Sequence, residues 1–507
     1  MKRAALHPMT TGVPGLDEIT DGGLPRGRTT LVAGTAGSGK TVLALQFIYT
    51  GIQEFNEPGV VVTFEESPDE LKRNVFSLGW DLDALEDAGT LAFVDASPEP
   101  GEEIVESGSY DLTALLARIE YAVTRTGAKR VVLDAIGSIF PQFKDPTVVR
   151  RELHRIAGGL RILGVTALMT IERSDEYGPI ARFSVEEFVA DNVIILRNQL
   201  EQEKRRRTIE VLKIRGASHR KGEFPFTINR PTGLTIVPLT SIMLTQPSTD
   251  IRISSGNAEL DEMCGGGMMQ NSIILISGAT GTGKTLMSTE FTKAAITNGQ
   301  RALVFAYEES REQLFRNALS WGVDYQAAED AGLLKVICRY PETMGLEEHL
   351  IVMQEAIEEF QPDRIAVDSM SALERGATVK SFREFVIGIT GHIKAKGMAG
   401  LFTNTTSMLV GGESITETHI STITDSIILL RYVELFGEMR RGLAVLKMRG
   451  SQHDKEIREY TIGNDGMTIL GQFLGVNGIL SGVPVVSVVG EKDRLTSMFS
   501  DANGAGE

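Results

Sequence analysis

Two eight-residue stretches, "GTAGSGKT" from Gly34 to Thr41 and "GATGTGKT" from Gly278 to Thr285, have the make-up of a phosphate cradle. Their glycines let successive backbone N–H groups converge on an anion. The lysine meets the β- and γ-phosphates of a nucleotide, and the next threonine can ligate Mg²⁺. The candidate contacts are Gly34, Thr35, Ala36, Gly37, Ser38, Gly39, Lys40, Thr41 and Val42 in the first loop, and Thr280, Gly281, Thr282, Gly283, Lys284, Thr285 and Leu286 in the second. Downstream, Asp134 ends the apolar run "RVVLD" and Asp368 ends "RIAVD", where a strand would deliver a carboxylate toward the metal. Glu65 and Glu66 follow "VVTF", and Glu308 and Glu309 follow "VFAY". Adjacent side chains at a strand end point to opposite sides, so one of each pair can face the γ-phosphate and deprotonate an attacking oxygen. The last element is K-x-R-G, with Lys213, Ile214 and Arg215 in one copy and Lys447, Met448 and Arg449 in the other. Alternate residues of a strand share a face, so its two cations suit an anion. Their distance along the chain from the loops predicts that they reach the nucleotide of a neighbouring subunit, as arginine fingers do.

Every one of these motifs occurs twice, in the same order. Lys40 and Lys284 lie 244 positions apart, and Lys213 and Lys447 lie 234 apart, so the second copy is about ten residues shorter between loop and Asp strand. A repeat this long is a duplicated domain rather than a solenoid. Each half alternates apolar runs of strand length with amphipathic stretches of helix length, which predicts α/β domains with a mostly parallel sheet covered on both faces. The expected boundaries are 1–240, a linker at 241–256, a second domain at 257–480 and a tail at 481–507 whose end, "SDANGAGE", has the composition of a disordered segment.

Composition limits the alternatives. No apolar run is long enough to cross a bilayer, and "MKRAALHPMTTGVPG" has no signal-peptide core, so a cytoplasmic location without membrane contact is expected. Cys264 and Cys338 are the two cysteines, and the seven histidines form no H-x-H or H-E-x-x-H pattern, which argues against a transition-metal site. A net charge of −16 argues against constitutive binding to nucleic acid.

The motifs converge on one family. In "VLKIRGASHRKGEFPFTI", "LDEMCGGG", "FAYEESREQLFRNALSWG" and "HISTITDSIILLRYVE" the chain resembles the KaiC family of circadian-clock ATPases and autokinases, from about Val13 to Ser481. The resemblance implies tandem RecA-like P-loop domains, six subunits in two stacked rings, and ATP with Mg²⁺ between neighbours. It adds Ser77 and His219 to the first nucleotide site and Trp321, Arg441, Ser451, His453 and Lys455 to the second, with Thr41, Thr285 and Glu308 at the metal. It also implies different work in the two halves. The residues that the family phosphorylates match Ser421 and Thr422, and Thr416 matches a threonine linked to phosphate handling. The first copy has Glu187 and Phe188 in their place, with no hydroxyl to modify. There Glu65 or Glu66 would activate water, whereas Glu308 would take the proton of Thr422 or Ser421. A KaiB-like partner on the first ring is implied. The tail "VVSVVGEKDRLTSMFSDANGAGE" departs from the family apart from its E-K-x-x-L spacing, so capture by KaiA is not. Two other readings compete: a RecA-like signalling ATPase whose hydroxyls are never modified, and a DNA-handling RecA relative, against which the acidic balance speaks.

Overall fold

Leu31 and Ala33 of the first P-loop strand belong to one apolar cluster and Val32 to another, and all three are fully buried. Val60 and Val62 divide from Val61 in the same way, and Val131 and Leu133 from Val132. A strand alternates its faces, so apolar residues at every position require cover on both sides. Each such side chain contributes roughly 1.5–3 kcal/mol by leaving water.

The chain is described by a computed structural model over residues 7–97, 112–138, 146–178, 189–201, 204–237, 249–406, 420–473, 476–479 and 485–486. It divides into two units, Met1–Ser241 and Ile242–Glu507, each built on a nine-stranded sheet.

In the first unit the strands run, edge to edge, Gly233–Ile236, Glu223–Asn229, Lys204–Ile214, Asn192–Glu201, Thr29–Gly34, Thr166–Glu172, Arg130–Asp134, Gly59–Thr63 and Leu91–Asp95. The six from Asn192–Glu201 onward are parallel, and the other three join antiparallel. The second unit repeats this order with Ile273–Gly278 as its P-loop strand between Ala399–Thr405 and Ser426–Leu435. Arg252–Ile253 pairs with Met268–Met269, so this stretch between the repeats is held against the second unit.

Parallel strands bring all their C-terminal ends to one edge of the sheet, which is where α/β proteins bind ligands. The P-loops, Asp134 and Asp368, and the glutamate pairs all stand there. The helices after the glutamates start cleanly. Ser67 and Ser310 each form a capping box, with Glu70 and Gln313 as the reciprocal partners.

Candidate functional site

Each P-loop passes directly into a helix, Lys40–Phe55 or Lys284–Thr297, so the first turn aims its unpaired N–H groups at whatever the loop holds. Gly39 and Gly283 enter those helices at φ +93° and +97°, a conformation that favours glycine, and a Cβ there would meet Ile228 or Ile462 at 2.8 Å. Lys40 donates to the carbonyls of Gly34 and Thr35 at 2.9 and 2.8 Å, and Lys284 to that of Ala279 at 2.9 Å. Burial lowers the pKa of both lysines. Against it act Glu172, Asp134, Glu65 and Glu176 around Lys40, and Asp368 and Glu308 around Lys284. The carbonyl of Thr282 accepts a 2.5 Å hydrogen bond from the buried Tyr460 hydroxyl, which fixes the second loop from beneath. Val42 packs against the apolar core, and Leu286 is buried in it, which leaves the backbone as the part of each that a ligand could reach.

The glutamate pairs separate in the same way in both halves. Glu66 accepts from Asn74 Nδ2 at 3.0 Å and Glu309 from Asn317 Nδ2 at 3.1 Å, each from the helix that follows. Glu65 and Glu308 are therefore left beside the lysines. Burial, then Glu172 and Asp134, push the Glu65 carboxyl up, while Lys40 opposes them. Burial also pushes up Glu309. Glu308 forms an ion pair of 2.9 Å with Arg375.

Asp134 accepts from Thr170 Oγ1, and Asp368 from Thr403 Oγ1 and the Thr285 hydroxyl. Burial raises the Asp368 carboxyl, and those hydroxyls oppose the shift. A hydroxyl beside a carboxylate is the hard-oxygen set that Mg²⁺ takes when most of its remaining ligands are phosphate and water. The fit is with such a shared site, because among the described residues no group of three or more His, Cys, Asp or Glu could hold a metal by itself.

The K-x-R-G cations stand elsewhere. Asn192 and Lys213 lie at the start of the strand pair whose far end reaches the P-loop level, since Thr30 registers with Asn192 and Gly34 with Leu196. Lys213 donates to Ala190 O at 2.8 Å, and Arg215 faces Asp191 at 3.8 Å. In the second unit Lys447 donates to Thr424 O at 2.6 Å, and Arg449 faces Asp425 at 3.8 Å. The loops beyond them stay at this end. Arg220 N, next to His219, donates to Ile19 O, and Asp454 N, between His453 and Lys455, donates to Met263 O. Ser451 Oγ accepts from Arg252 at 2.5 Å. Ile214 and Met448 are buried, so only their backbone is available to a ligand. Ser77 and Trp321 form the C-caps of the helices that follow the glutamates, and Trp321 packs against the core.

Arg441 differs from this group. It lies over the Tyr432 ring, and the Tyr432 hydroxyl is the atom a Cβ at Gly281 would meet at 2.7 Å, so Arg441 belongs to its own unit's P-loop. Its counterpart 234 positions earlier, Arg207, donates to Gly37 O at 3.4 Å. Arg207 stands in none of the sequence motifs, although the repeat offset points to it. Nor do Glu172, Glu176 and Arg375. The first two have no counterpart carboxylates in the second copy, and Pro141 stands at the Arg375 position in the first.

Ser421 and Thr422 fall in a single helical turn, Ile420–Ile423. Asp425 receives Ile273 N on its carboxylate at 2.8 Å, and its own N–H donates to Ile273 O at 2.9 Å. That pins the strand's start at Ser426 and leaves the hydroxyl residues before it. Thr422 is exposed, and its carbonyl accepts from Arg449 Nη2 at 2.8 Å. Thr416, Glu187, Phe188 and the Ser421 side chain lie outside the described residues.

Two phosphate cradles, each with a strand-end Asp and a glutamate on a parallel sheet edge, define a tandem P-loop ATPase with RecA-like α/β domains. The family model described as "ATPase: KaiC" matches residues 9–241 and 253–473. The chain belongs to the KaiC family. It is 59% identical over 496 residues to the circadian clock protein KaiC3 of Synechocystis sp., covering 98% of both chains. It is 55% identical to the circadian clock oscillator protein KaiC of Thermostichus vulcanus and 54% to that of Synechococcus elongatus, in each case over 97% of this chain and 94% of the relative.

Proposed function

We propose that the chain is a clock ATPase in which both halves hydrolyse ATP and the second also passes the γ-phosphoryl group to Ser421 and Thr422 and removes it again. The observation that carries this reading is the hydrogen bond from Arg449 to the Thr422 carbonyl. It joins the K-x-R-G cations and the hydroxyl-bearing turn in one assembly, at the sheet end remote from the chain's own P-loop. A nucleotide held by one subunit's Lys284 would then meet Lys447 and Arg449, with Thr422 beside them, only on its neighbour. The family's arrangement of six subunits in two rings supplies such neighbours.

In this reading Lys40 and Lys284 bind the phosphates, and Thr41 and Thr285 would hold Mg²⁺, which would supply positive charge against the charge that develops on the phosphates. Asp134 and Asp368 would help to hold the metal, Asp368 by orienting the Thr285 hydroxyl. Glu65 takes a proton from water, and Glu308 takes it from the Thr422 or Ser421 hydroxyl. Ser77, His219, Trp321, Ser451, His453 and Lys455 complete the nucleotide pockets across subunit boundaries. A phosphate on the turn adds about −1.5 to −2 charge. It would compete with Asp425 for Arg449, so the modification would be felt at the subunit boundary. The names of the relatives support a place in a circadian clock. A KaiB-like partner on the first ring and a cytoplasmic location complete this reading. Among the described residues no helix is long and apolar enough to cross a membrane.

The test is phosphate mapping by intact-mass and peptide mass spectrometry after incubation of the purified chain with Mg-ATP, beside Lys284→Ala and Lys40→Ala. Phosphate on Ser421 or Thr422 that disappears in an assembled Lys284→Ala protein is the expected result. An assembled protein that hydrolyses ATP and stays unmodified would leave the ATPase and remove the kinase.

A further inference from the structure

The two nucleotide sites differ at one strand end. In the first unit the strand beside the P-loop strand ends in Glu172, in register with Gly34. In the second the same place, in register with Gly278, is Thr405. The backbone is alike in both: Arg173 N donates to Gly34 O at 3.0 Å, and Thr406 N to Gly278 O at 3.1 Å.

The segment after Glu172 is clamped to the first loop. Glu176 accepts from the Thr35 hydroxyl at 2.6 Å and from Asn198 N at 3.0 Å, and its carbonyl accepts from Arg197 Nε at 3.2 Å. The second loop has Ala279 in place of Thr35 and offers no such hydroxyl. Glu65, Asp134, Glu172 and Glu176 thus all act on Lys40 in the first cradle, and among the described residues no three of them stand close enough together to hold a metal. The second has Glu308 and Asp368 around Lys284, with Glu308 paired to Arg375. The charged groups felt by Glu65 are Glu172, Asp134 and Glu66, which repel its negative form, and Lys40, which favours it.

We propose that Glu172 is a positioning residue that commits the first site to hydrolysis: strand register sets it about level with Glu65 on the other side of the Asp134 strand, its carboxylate favours transfer of a water proton to Glu65, and Thr405 withholds that bias from the second site. This rests on the reading of Glu65 as the proton acceptor. In the step itself the water oxygen bonds to Pγ as the Pγ–O bond to ADP breaks. ADP leaves with the electron pair, and the water proton passes to Glu65 and is released with phosphate. Glu172 exchanges no atom. In the second half the carboxylate paired with Arg375 serves a hydroxyl brought to it by a neighbour, and water has no comparable advantage there.

The experiment uses the full chain carrying Glu308→Gln to suppress the second half. Phosphate release is followed from pH 5.5 to 9 for this parent, for Glu172→Gln and for Glu172→Asp, with binding of a fluorescent ATP analogue measured on each. With one like charge removed, Glu65 is a weaker base. Glu172→Gln should move the acid limb of the rate profile down by about half a pH unit and lower the plateau about three- to ten-fold. Analogue affinity should stay within about two-fold of the parent, and Glu172→Asp should restore the limb. A limb that does not move overturns the proposal, whether the affinity is kept or lost. If Glu65→Gln in the same parent leaves hydrolysis intact, the assignment of Glu65 fails instead, and the two failures are distinguished.

Discussion

Glu290 sits in the helix that leaves the second P-loop, 8% exposed, with its carboxylate accepting Met467 N at 2.8 Å. Burial pushes it from 4.5 up to about 7, against the Met467 amide, Lys293 and Asn257, while Glu259 adds to the rise. The first unit has Gln46 at this position. Its Oε1 accepts from Leu234 N at 2.7 Å, and its Nε2 donates to Thr232 O and Leu234 O at 3.1 Å. Glu290→Gln should therefore be accommodated and should remove a titration. Between 4.5 and 7 the folded state holds a proton that the unfolded chain has released, so this carboxyl costs the fold more as pH rises and the cost levels off above 7. The linkage gives about 1 kcal/mol at pH 5.5 and about 3 kcal/mol at pH 8.5. At roughly 2–4 °C per kcal/mol for a domain of this size, the substitution should raise the second unit's unfolding temperature by about 3 °C at the lower pH and about 8 °C at the higher. Calorimetry of the full-length variant and parent at both values is the assay. Imperfect packing of the amide adds a constant offset and leaves the slope untouched. A gain that is the same at pH 5.5 and 8.5 would refute the reasoning.

Glu65→Gln should lower hydrolysis by the first half by about 10²-fold or more, whereas Glu66→Gln, at a residue turned to Asn74, should change it by less than about three-fold; single-site phosphate-release assays separate them. Gly283→Ala forces an alanine into φ +97° against Ile462, and should weaken ATP binding at the second site about ten-fold in equilibrium titration. Arg130 donates to the carbonyls of Thr10, Thr11 and Phe47 and pairs with Glu57 at 2.7 Å, so Arg130→Met should cost the first unit about 3–5 kcal/mol in urea unfolding. Arg449→Lys keeps the charge but loses the fork that reaches both Asp425 and Thr422, and should slow phosphate incorporation about ten-fold in a radiolabel assay.

Self-comparison makes the duplication, the cradles and the strand-end carboxylates readable, because each depends on local spacing and each occurs twice. The glutamate pairs are readable only as pairs. Which member is turned to the following helix is decided by Asn74 and Asn317, eight residues on, and that depends on how the intervening helix returns. Resemblance groups Arg441 with residues that the fold places at the other end of the sheet, since strand register rather than sequence distance sets which end a residue occupies. Glu172, Glu176 and Arg375 escape for the opposite reason to the motifs. They occur in one copy, so the repeat that exposes everything else cannot flag them. The hydroxyl turn at Ile420–Ile423 has the β-branched residues of a strand, and the Asp425–Ile273 anchor overrides that preference.

The cradle and the K-x-R-G cations occupy opposite ends of one sheet, so a subunit offers its neighbours two unlike faces. Contact between unlike faces is heterologous and has a direction, and it ends either in a closed ring or in an open filament. If each cradle takes its cations from a neighbour, as proposed, an open row would strand one cradle without them, and closure would abolish that loss. A lesion also acts at a distance from itself. If Arg449 serves a neighbour's nucleotide as proposed, a subunit stripped of it would keep its own phosphates and disable the next subunit's chemistry, whereas one stripped of Lys284 would disable its own. Two defective chains with these complementary lesions, mixed in one ring, would regenerate working sites that neither can make alone.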